Sequence, residues 1–261
     1  MAKLLDDNSM IYKYTPHDKC HRYDIIMENE LWFAKIDSLN DPIDSNLAYN
    51  KKYSIDEIRA YWEDLSRNNP KQNLQENLKK YGDNKSFVEC QNKKFRQLKA
   101  KIGVLCMSKN YNNILMWAHY ANSHKGIVYG FDKNLFEYNE SEPFGGVFAE
   151  MQYPKNGRYK LLSYTKRDGK EQNAQFAESL TIKAPDWHYE EEVRFINIGK
   201  SGIAIKFNPS CLKTIIFGVK TGKKERDSLI KCCKKHNFEH ITFKQARFID
   251  GKFELEFDEI K

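Results

Sequence analysis

The stretch DWHYEEEVRF, residues 186–195, decides how the rest of the chain is interpreted. Successive side chains of a β-strand point to opposite faces, so the pattern puts an apolar face opposite Glu190, Glu192 and Arg194. The two carboxylates then lie roughly 7 Å apart on one strand face. Two interpretations stay open: an exposed face with an ordinary ion pair, or a cleft wall where a carboxylate grips a ribose hydroxyl or stabilises a cationic transition state.

A second stretch, LMWAHYANSHKG at 115–126, gathers aromatic and histidine side chains. Helical spacing indicates that part of it packs in a core. Packing explains His119 and His124 less well, because a buried imidazole needs hydrogen-bond partners. The alternative is a pocket lined by Trp117, His119 and Tyr120, which would suit a flat heteroaromatic ring.

The string NDPID, residues 40–44, follows the aromatic stretch LWFAKI. Asn and Asp side chains favour turns, and proline fixes the bend, so turn chemistry alone explains this segment. The alternative is that Asn40, Asp41 and Asp44 face a ligand.

The composition is that of a folded protein. The 261 residues include 16 Phe, 15 Tyr and 4 Trp, which argues against disorder. The formal net charge is +7, with lysine runs at 93–101, 220–226 and 231–235. This charge permits contact with nucleic acid or a phosphate-bearing ligand without requiring either. A solvated lysine-rich surface is the simpler interpretation.

The cysteine and histidine patterns predict neither disulfides nor a metal site. The six cysteines form no C-x-x-C motif, which is typical of reduced thiols in a cytoplasmic protein. HNFEH at 236–240 falls between a predicted helix and a strand, and HDKCH at 17–21 lies in a polar segment after a proline. Neither context is that of a zinc-binding helix. No apolar run approaches the ~18 residues of a membrane span, so we expect no membrane contact.

The hydrophobic pattern predicts one α+β domain over 1–261, with a bent or split, mainly antiparallel sheet. A helical insertion is predicted at 54–99, where Ser54 and Glu57 form a capping box. Residues 191–198 and 202–207 are predicted to pair with each other. The strands are predicted at 10–14, 31–36, 102–108, 126–132, 150–153, 191–198, 202–207, 212–219, 240–248 and 252–260.

These strings together resemble a bacterial family of unknown function that is distantly similar to the abortive-infection protein AbiGi. The shared features are an N-terminal IYKY strand, LWFAKIDSLNDPID, CMSKNYNNILMWAHYANSHKGIVYGFD, the short strand MQY, and FNPSCLKTIIFG. The family's K…W-x-Y-E-x-E-x-R motif corresponds here to Lys183, Trp187, Tyr189, Glu190, Glu192 and Arg194. The resemblance implies a context of phage defence, with toxin-like or toxin–antitoxin genes.

The order of the motifs is also similar to that of ADP-ribosyltransferases, which bind NAD in a split antiparallel sheet. That resemblance implies that Tyr12 to Tyr14, with Lys13 between them, contact the NAD ribose. Trp117 or Tyr120 would stack on nicotinamide. Glu192, or Glu190, would hold the ribose 2′-hydroxyl and stabilise the oxocarbenium-like transition state.

The first hypothesis is therefore an NAD-consuming or ADP-ribosyl-transferring defence enzyme that uses no metal. The second is a non-catalytic ligand-binding or antitoxin-like module, and the third is a nucleic-acid-binding protein with salt-sensitive affinity. The candidate catalytic residues are Glu192, Glu190 and His119. The candidate binding residues are Tyr12, Lys13, Tyr14, Asn40, Asp41, Asp44, Trp117, Tyr120, His124, Trp187, Tyr189 and Arg194.

Overall fold

The structure is a computed structural model that describes residues 10–16, 24–45, 49–136, 145–159, 161–165 and 169–260. Contacts divide the chain into two compact units, each assembled from separated segments. The first unit comprises Met1–Ala34, Gly103–Met151 and Asp186–Lys261, and the second comprises Lys35–Ile102 and Gln152–Pro185.

Helices and strands alternate irregularly along the chain. The strands are β1 (Met10–Thr15), β2 (Glu30–Lys35), β3 (Ile102–Ser108), β4 (Ile127–Asp132), β5 (Val147–Glu150), β6 (Glu192–Ile198), β7 (Ile203–Lys206), β8 (Leu212–Phe217), β9 (Thr242–Phe248) and β10 (Leu255–Ile260). The α-helices are α1 (Asp24–Met27), α2 (Ile55–Asn68), α3 (Leu74–Tyr81), α4 (Asn84–Lys99), α5 (Ile114–Tyr120), α6 (Gly169–Thr181) and α7 (Lys223–Lys235).

The strands form one large open sheet in the order β10-β9-β8-β4-β1-β3-β2-β7, with β6 paired to β3 and β5 paired to β6. β1 pairs antiparallel with β4 over its whole length and meets β3 where Tyr12 lies opposite Ser108. β8 and β9 pair in parallel. The predicted α+β class with a mainly antiparallel sheet is therefore confirmed.

Each face of the sheet in the first unit carries its own apolar cluster. The larger cluster includes Ile11, Val193 and Phe195, together with apolar side chains of α7. Trp117 of α5 packs in the second cluster with Tyr14 and neighbouring side chains. The predicted apolar face of β6 is thus confirmed. The residues of β1 also divide between the two clusters, with Ile11 in the larger and Tyr14 in the second, because successive side chains of a strand point to opposite faces.

Two strand predictions were wrong. Residues 191–198 and 202–207 do not pair with each other: β6 joins β3 and β5, whereas β7 pairs with β2. The short strand expected at 150–153 lies earlier, as β5. For β6, a local hairpin with β7 competed with pairing to strands distant in sequence, and side-chain alternation does not identify the partner. For β5, the error concerns only the bounds of the strand.

The second unit contains the predicted helical segment 54–99. Ser54 accepts a hydrogen bond from the Glu57 backbone amide at 3.2 Å, and the Glu57 carboxylate accepts from the Ser54 amide at 2.7 Å, so the capping box is confirmed. Trp62 and Phe87 lie at the centre of an aromatic core. The contacts group these helices with Gln152–Pro185. Whether the two units constitute the single predicted domain stays a prediction.

The described cysteines, at positions 90, 106, 211, 232 and 233, are free thiols. Cys20 and the string at 17–21 lie outside the described residues. None of the helices in the described ranges combines the length and hydropathy of a bilayer-spanning segment.

Gly126 offers a test of this fold. A Cβ at this position would lie 2.1 Å from the Thr15 carbonyl oxygen and 2.8 Å from Ala121 backbone atoms. We expect Gly126→Ala to destabilise the protein by roughly 1–3 kcal/mol, because backbone atoms cannot move aside cheaply. In the same turn, Asn122 is exposed with φ of 46°, which glycine accepts readily. Asn122→Gly should therefore unfold near the wild-type temperature, and equal melting temperatures for both variants would contradict the packing.

Candidate functional site

The candidate site in the first unit is built on a sharp corner of the chain. Residues Pro185–Glu190 form a 3-10 helix, Glu191 adopts a left-handed conformation with φ of 43°, and β6 begins at Glu192. The prediction that Glu190 shares a strand face with Glu192 and Arg194 is therefore wrong, because the strand starts later. Both Glu190 and Glu192 are nevertheless buried, each with 4% of its surface exposed. A non-glycine residue in the left-handed region costs about 1–3 kcal/mol, and such strain is typical of functional sites.

Arg194 and Glu192 form a buried, two-pronged ion pair. Arg194 Nε donates to Glu192 Oε1 at 2.6 Å, and its Nη2 donates to Oε2 at 3.0 Å. The arginine has no exposed surface. Burial of both charges is tolerated because each finds its counter-charge with near-ideal geometry. The pair is thus an internal feature of the sheet, and its placement on an exposed face is excluded.

Glu190 is held from α5 and from β3. Tyr120 donates its hydroxyl to Glu190 Oε1 at 2.5 Å. Ser108, the last residue of β3, donates to the Glu190 carbonyl at 2.7 Å. The two motif stretches are therefore in direct contact through Tyr120 and Glu190.

Lys13 of β1 brings a second cation to this region. Its Nζ donates to the carbonyl of Cys106 at 2.9 Å. Burial lowers the pKa of Lys13, and the nearby Cys106 and Glu192 act in the opposite direction. Burial, and after it the charge of Glu192, raises the pKa of the Cys106 thiol to about 12. Cys106 therefore stays protonated at neutral pH and is a poor nucleophile.

The outer layer of the site contains a histidine–tyrosine pair. His119 is exposed, and its Nδ1 lies 3.0 Å from the hydroxyl of half-buried Tyr189. Trp187 packs at a tilt on Tyr189, with ring centroids 6.2 Å apart.

Trp117 and His124 lie deeper. Trp117 has no exposed surface and donates its indole N–H to the Tyr111 carbonyl at 2.7 Å. His124 is 8% exposed and stacks on Trp117 at 6.5 Å with an 11° interplanar angle. Among the described residues, His124 Nδ1 has no hydrogen-bond partner. Burial, followed by the charge of Lys220, lowers the pKa of His124. Because Trp117 has no exposed surface, its role in this structure is core packing.

The turn after α5 is strained. Asn122, Ser123 and His124 have φ values of 46°, 54° and 68°, a consecutive left-handed run that non-glycine residues rarely adopt. Backbone hydrogen bonds secure the run, since the amide of Ser123 donates to Ala118 and that of His124 donates to Trp117. The turn fixes where α5 ends and thereby where His119 and Tyr120 point.

The tyrosines of β1 border the same region. Tyr14 donates its hydroxyl to the Asn110 carbonyl at 2.9 Å and meets Trp117 edge-on at 5.5 Å. Burial raises the pKa of Tyr14. Tyr12 contacts Tyr111, with ring centroids 4.9 Å apart. The first-strand tyrosines are thus anchored to the segment that follows β3.

The remaining predicted residues, Asn40, Asp41 and Asp44, belong to the second unit. Asp41 Oδ1 accepts from the Ile43 amide at 2.8 Å, so the predicted turn chemistry is confirmed. Asp44 is buried and lies 3.6 Å from the Lys183 ammonium. Contact of these residues with a ligand stays a prediction.

Three residues of the site were missed from the sequence. Ser108 and Asn113 donate hydrogen bonds to backbone carbonyls of the corner. Asn113 Nδ2 donates to the carbonyl oxygen of Tyr189 at 3.0 Å. Asn110 Nδ2 donates to Glu191 Oε1 at 2.9 Å. The available signal was the asparagine-rich string SKNYNN directly after a buried strand, where polar side chains at a strand end often serve a site.

Within the described part of the chain, no group of three or more His, Cys, Asp and Glu side chains is placed to hold a metal ion. The chemistry available at the corner is that of two buried carboxylates, one buried guanidinium, a lysine and an accessible histidine–tyrosine pair.

Residues 116–195 match the family described as Protein of unknown function (DUF2971). The matched region begins within LMWAHYANSHKG and ends within WHYEEEVRFI, so it spans both sides of the corner. No curated protein and no solved structure gives a significant match to the chain. This part of the chain is thus similar to an uncharacterised domain family.

Replacement of the buried arginine tests the structural role of the ion pair. We expect Arg194→Lys to lower the free energy of unfolding by roughly 2 kcal/mol or more, because lysine keeps the charge but cannot make both hydrogen bonds. Arg247 is the matched control, since it pairs with Asp258 while 56% of its side chain is exposed. Arg247→Lys should cost less than about 1 kcal/mol. Urea denaturation measures both, and equal losses would contradict a buried pair.

The pKa of His124 predicts a pH dependence of stability. Because burial lowers the folded-state pKa below the ordinary value of 6.5, the unfolded chain binds more protons as pH falls through that value. Stability should therefore decline as the pH drops below 6.5. His124→Asn, which suits the left-handed backbone, should remove this component. Denaturation at pH 7.5 and pH 5.5 compares the two proteins, and an identical pH response would contradict the burial of a neutral imidazole.

Proposed function

We propose that the corner formed by residues 186–194 binds NAD and that the protein cleaves NAD or transfers its ADP-ribosyl group. The observation that carries the proposal is the presence of two buried carboxylates, Glu190 and Glu192, on either side of the strained Glu191. Burying carboxylates is costly, and holding them around a strained residue costs more. An arrangement of this kind is typical of residues retained for chemistry.

The roles follow from what the transition state needs. Loss of nicotinamide leaves positive charge on the ribose, which a carboxylate at the anomeric carbon stabilises. Glu192 takes this role, and Arg194 acts as a positioning residue because it fixes both carboxylate oxygens. His119 is exposed and takes the proton of the attacking water or acceptor.

The aromatic side chains would receive the nicotinamide ring. Tyr189 and Tyr120 are half-buried, whereas Trp117 has no accessible surface, so the tyrosines are the better stacking partners. Glu192 is only 4% exposed, and ligand contact therefore requires the covering side chains to move. The hydrogen bond between Tyr120 and Glu190 is the contact we expect to open first.

We infer the biological setting from the resemblance of the motifs. Resemblance to the AbiGi-like family implies a defence effector that acts in the cytoplasm on infection. Consumption of NAD by such an effector would halt the metabolism on which phage replication depends. In a toxin–antitoxin arrangement, a partner protein would restrain it.

A second candidate is a non-catalytic, ligand-binding or antitoxin-like module. The burial of Glu192 and its two hydrogen bonds to Arg194 favour it, because both carboxylate oxygens already have partners. In this case the corner is a rigid scaffold and the exposed His119–Tyr189 pair marks the binding surface.

A third candidate is a nucleic-acid-binding protein. The lysines of α7, among them Lys223, Lys224 and Lys231, would support nucleic-acid binding with a steep salt dependence.

Release of nicotinamide from NAD tests the enzymatic proposal. We expect turnover by the wild type and a loss of about 100-fold or more in Glu192→Gln, the usual range for removal of a transition-state-stabilising group. Glu256→Gln on β10 is the matched control, since it removes an exposed carboxylate that pairs with Arg247. Chromatography quantifies nicotinamide, and melting temperatures show whether each variant is folded.

The same assay separates the candidates. No turnover by the wild type, together with no NAD-induced rise in melting temperature, would exclude the NAD proposal. A thermal shift without turnover, and full cellular activity of Glu192→Gln, would support the binding module.

A further inference from the structure

The second unit contains a cavity that the proposed function does not use. It has a volume of about 620 Å³, and all of its lining residues belong to this unit. One stripe of α4 forms a wall, with lining residues at positions 88, 92, 95, 96 and 99, which is the spacing of a single helix face. A helix face that only packs against a core would be apolar, yet this one carries Asn92, Arg96 and Lys99.

Three cations, Lys51, Arg96 and Lys99, line the cavity together with three carboxylates. Lys99 is only 7% exposed, and its Nζ lies 3.5 Å from Asp37 Oδ1 and 5.9 Å from the centre of the Phe95 ring. Arg96 and Lys51 also line the cavity and are exposed. Neither Arg96 nor Lys51 forms an ion pair with any residue that the structure describes. Since Lys99 is paired with Asp37, and Asp44 with Lys183, Arg96 and Lys51 are the lining cations left to attract an anion.

An aromatic wall lies on the same cavity. Tyr49 and Tyr164 stack in parallel at 4.2 Å, and Phe95 meets Tyr49 edge-on at 4.9 Å. Tyr164 is fixed in place, because its hydroxyl donates to Asn92 Oδ1 at 2.7 Å and its amide donates to the Tyr53 hydroxyl at 3.0 Å. Rigid, half-buried rings of this kind suit contact with a planar heterocycle.

Three carboxylates, Asp37, Asp41 and Asp44, also line the cavity. Asp44 is paired with the buried Lys183, whereas Asp41 is 8% exposed and is bonded through Oδ1 to the Ile43 amide. A carboxylate beside an aromatic wall is a natural acceptor for a sugar hydroxyl or a base N–H group. Asp41 and Asp44 are the aspartates of the NDPID string.

We propose that this cavity is a binding site for a nucleoside phosphate. The phosphate groups lie against Arg96 and Lys51, the base contacts the wall of Phe95 and the stacked tyrosines, and Asp41 accepts a hydrogen bond from the nucleoside. The site is separate in residues and in structural unit from the corner proposed for NAD. It therefore stands or falls independently of NAD cleavage.

Isothermal titration of the full chain with ADP, adenosine and sodium pyrophosphate tests the site. We expect ADP to bind more tightly than adenosine or pyrophosphate, since it engages both the cations and the aromatic wall. Arg96→Gln should weaken ADP binding about tenfold or more, the effect of losing one charge-assisted hydrogen bond. Arg67→Gln is the control, because Arg67 lies on α2 with 72% of its side chain exposed and pairs only weakly with Asp64 at 3.8 Å.

Each result bears directly on the inference. Weakening of ADP binding by Arg96→Gln, with none by Arg67→Gln or Glu192→Gln, supports the site. Absence of ADP binding overturns it, as does ADP binding that Arg96→Gln leaves unchanged. If Glu192→Gln alone abolishes ADP binding, the nucleotide occupies the first unit: the inference is then wrong while the NAD proposal stands.

Discussion

A guanidinium with no accessible surface is the constraint on which the rest of the first unit depends. Arg194 is neutralised by Glu192 through two hydrogen bonds, and the pair lies on a strand whose residues 192–197 are all buried. Because both residues lie on β6, a one-residue shift in register would move the whole ion pair to the opposite, apolar face, where Val193 and Phe195 now pack. The flanking strands β3 and β5 hold β6 in its register.

From this pair the geometry extends to the surface through the corner. The left-handed Glu191 turns the chain so that Glu190 meets Tyr120 and Tyr189 meets His119. The strained turn at Asn122–His124 fixes the end of α5 and thereby orients His119 and Tyr120 toward the corner. The matched segment 116–195 contains both the Tyr120–Glu190 and the His119–Tyr189 contacts, whereas Ser108, Asn110 and Asn113, which also bind the corner, lie before it. Buried charges lie at the centre of these contacts and titratable groups at their rim.

Much of this fold could be predicted from local patterns. Alternation identified β1, the apolar pattern identified β3 and β8, and the Ser54 capping box identified the start of α2. Other features depend on distant parts of the chain. No local signal shows that β6 pairs with β3 instead of its sequence neighbour β7, or that Glu190 ends a 3-10 helix instead of lying on the strand. The roles of Asn110 and Asn113 depend on contacts with Glu191 and Tyr189, which are distant in sequence.

Hydrogen exchange of arginine side chains tests the central claim most directly. In a nitrogen–proton NMR spectrum, the Arg194 Nε–H, buried and bonded at 2.6 Å, should give a sharp signal that exchanges slowly with water. The Nε–H of Arg247, which is 56% exposed, should exchange fast. Exchange of the Arg194 proton as fast as that of Arg247 would contradict a sealed ion pair at the centre of the site.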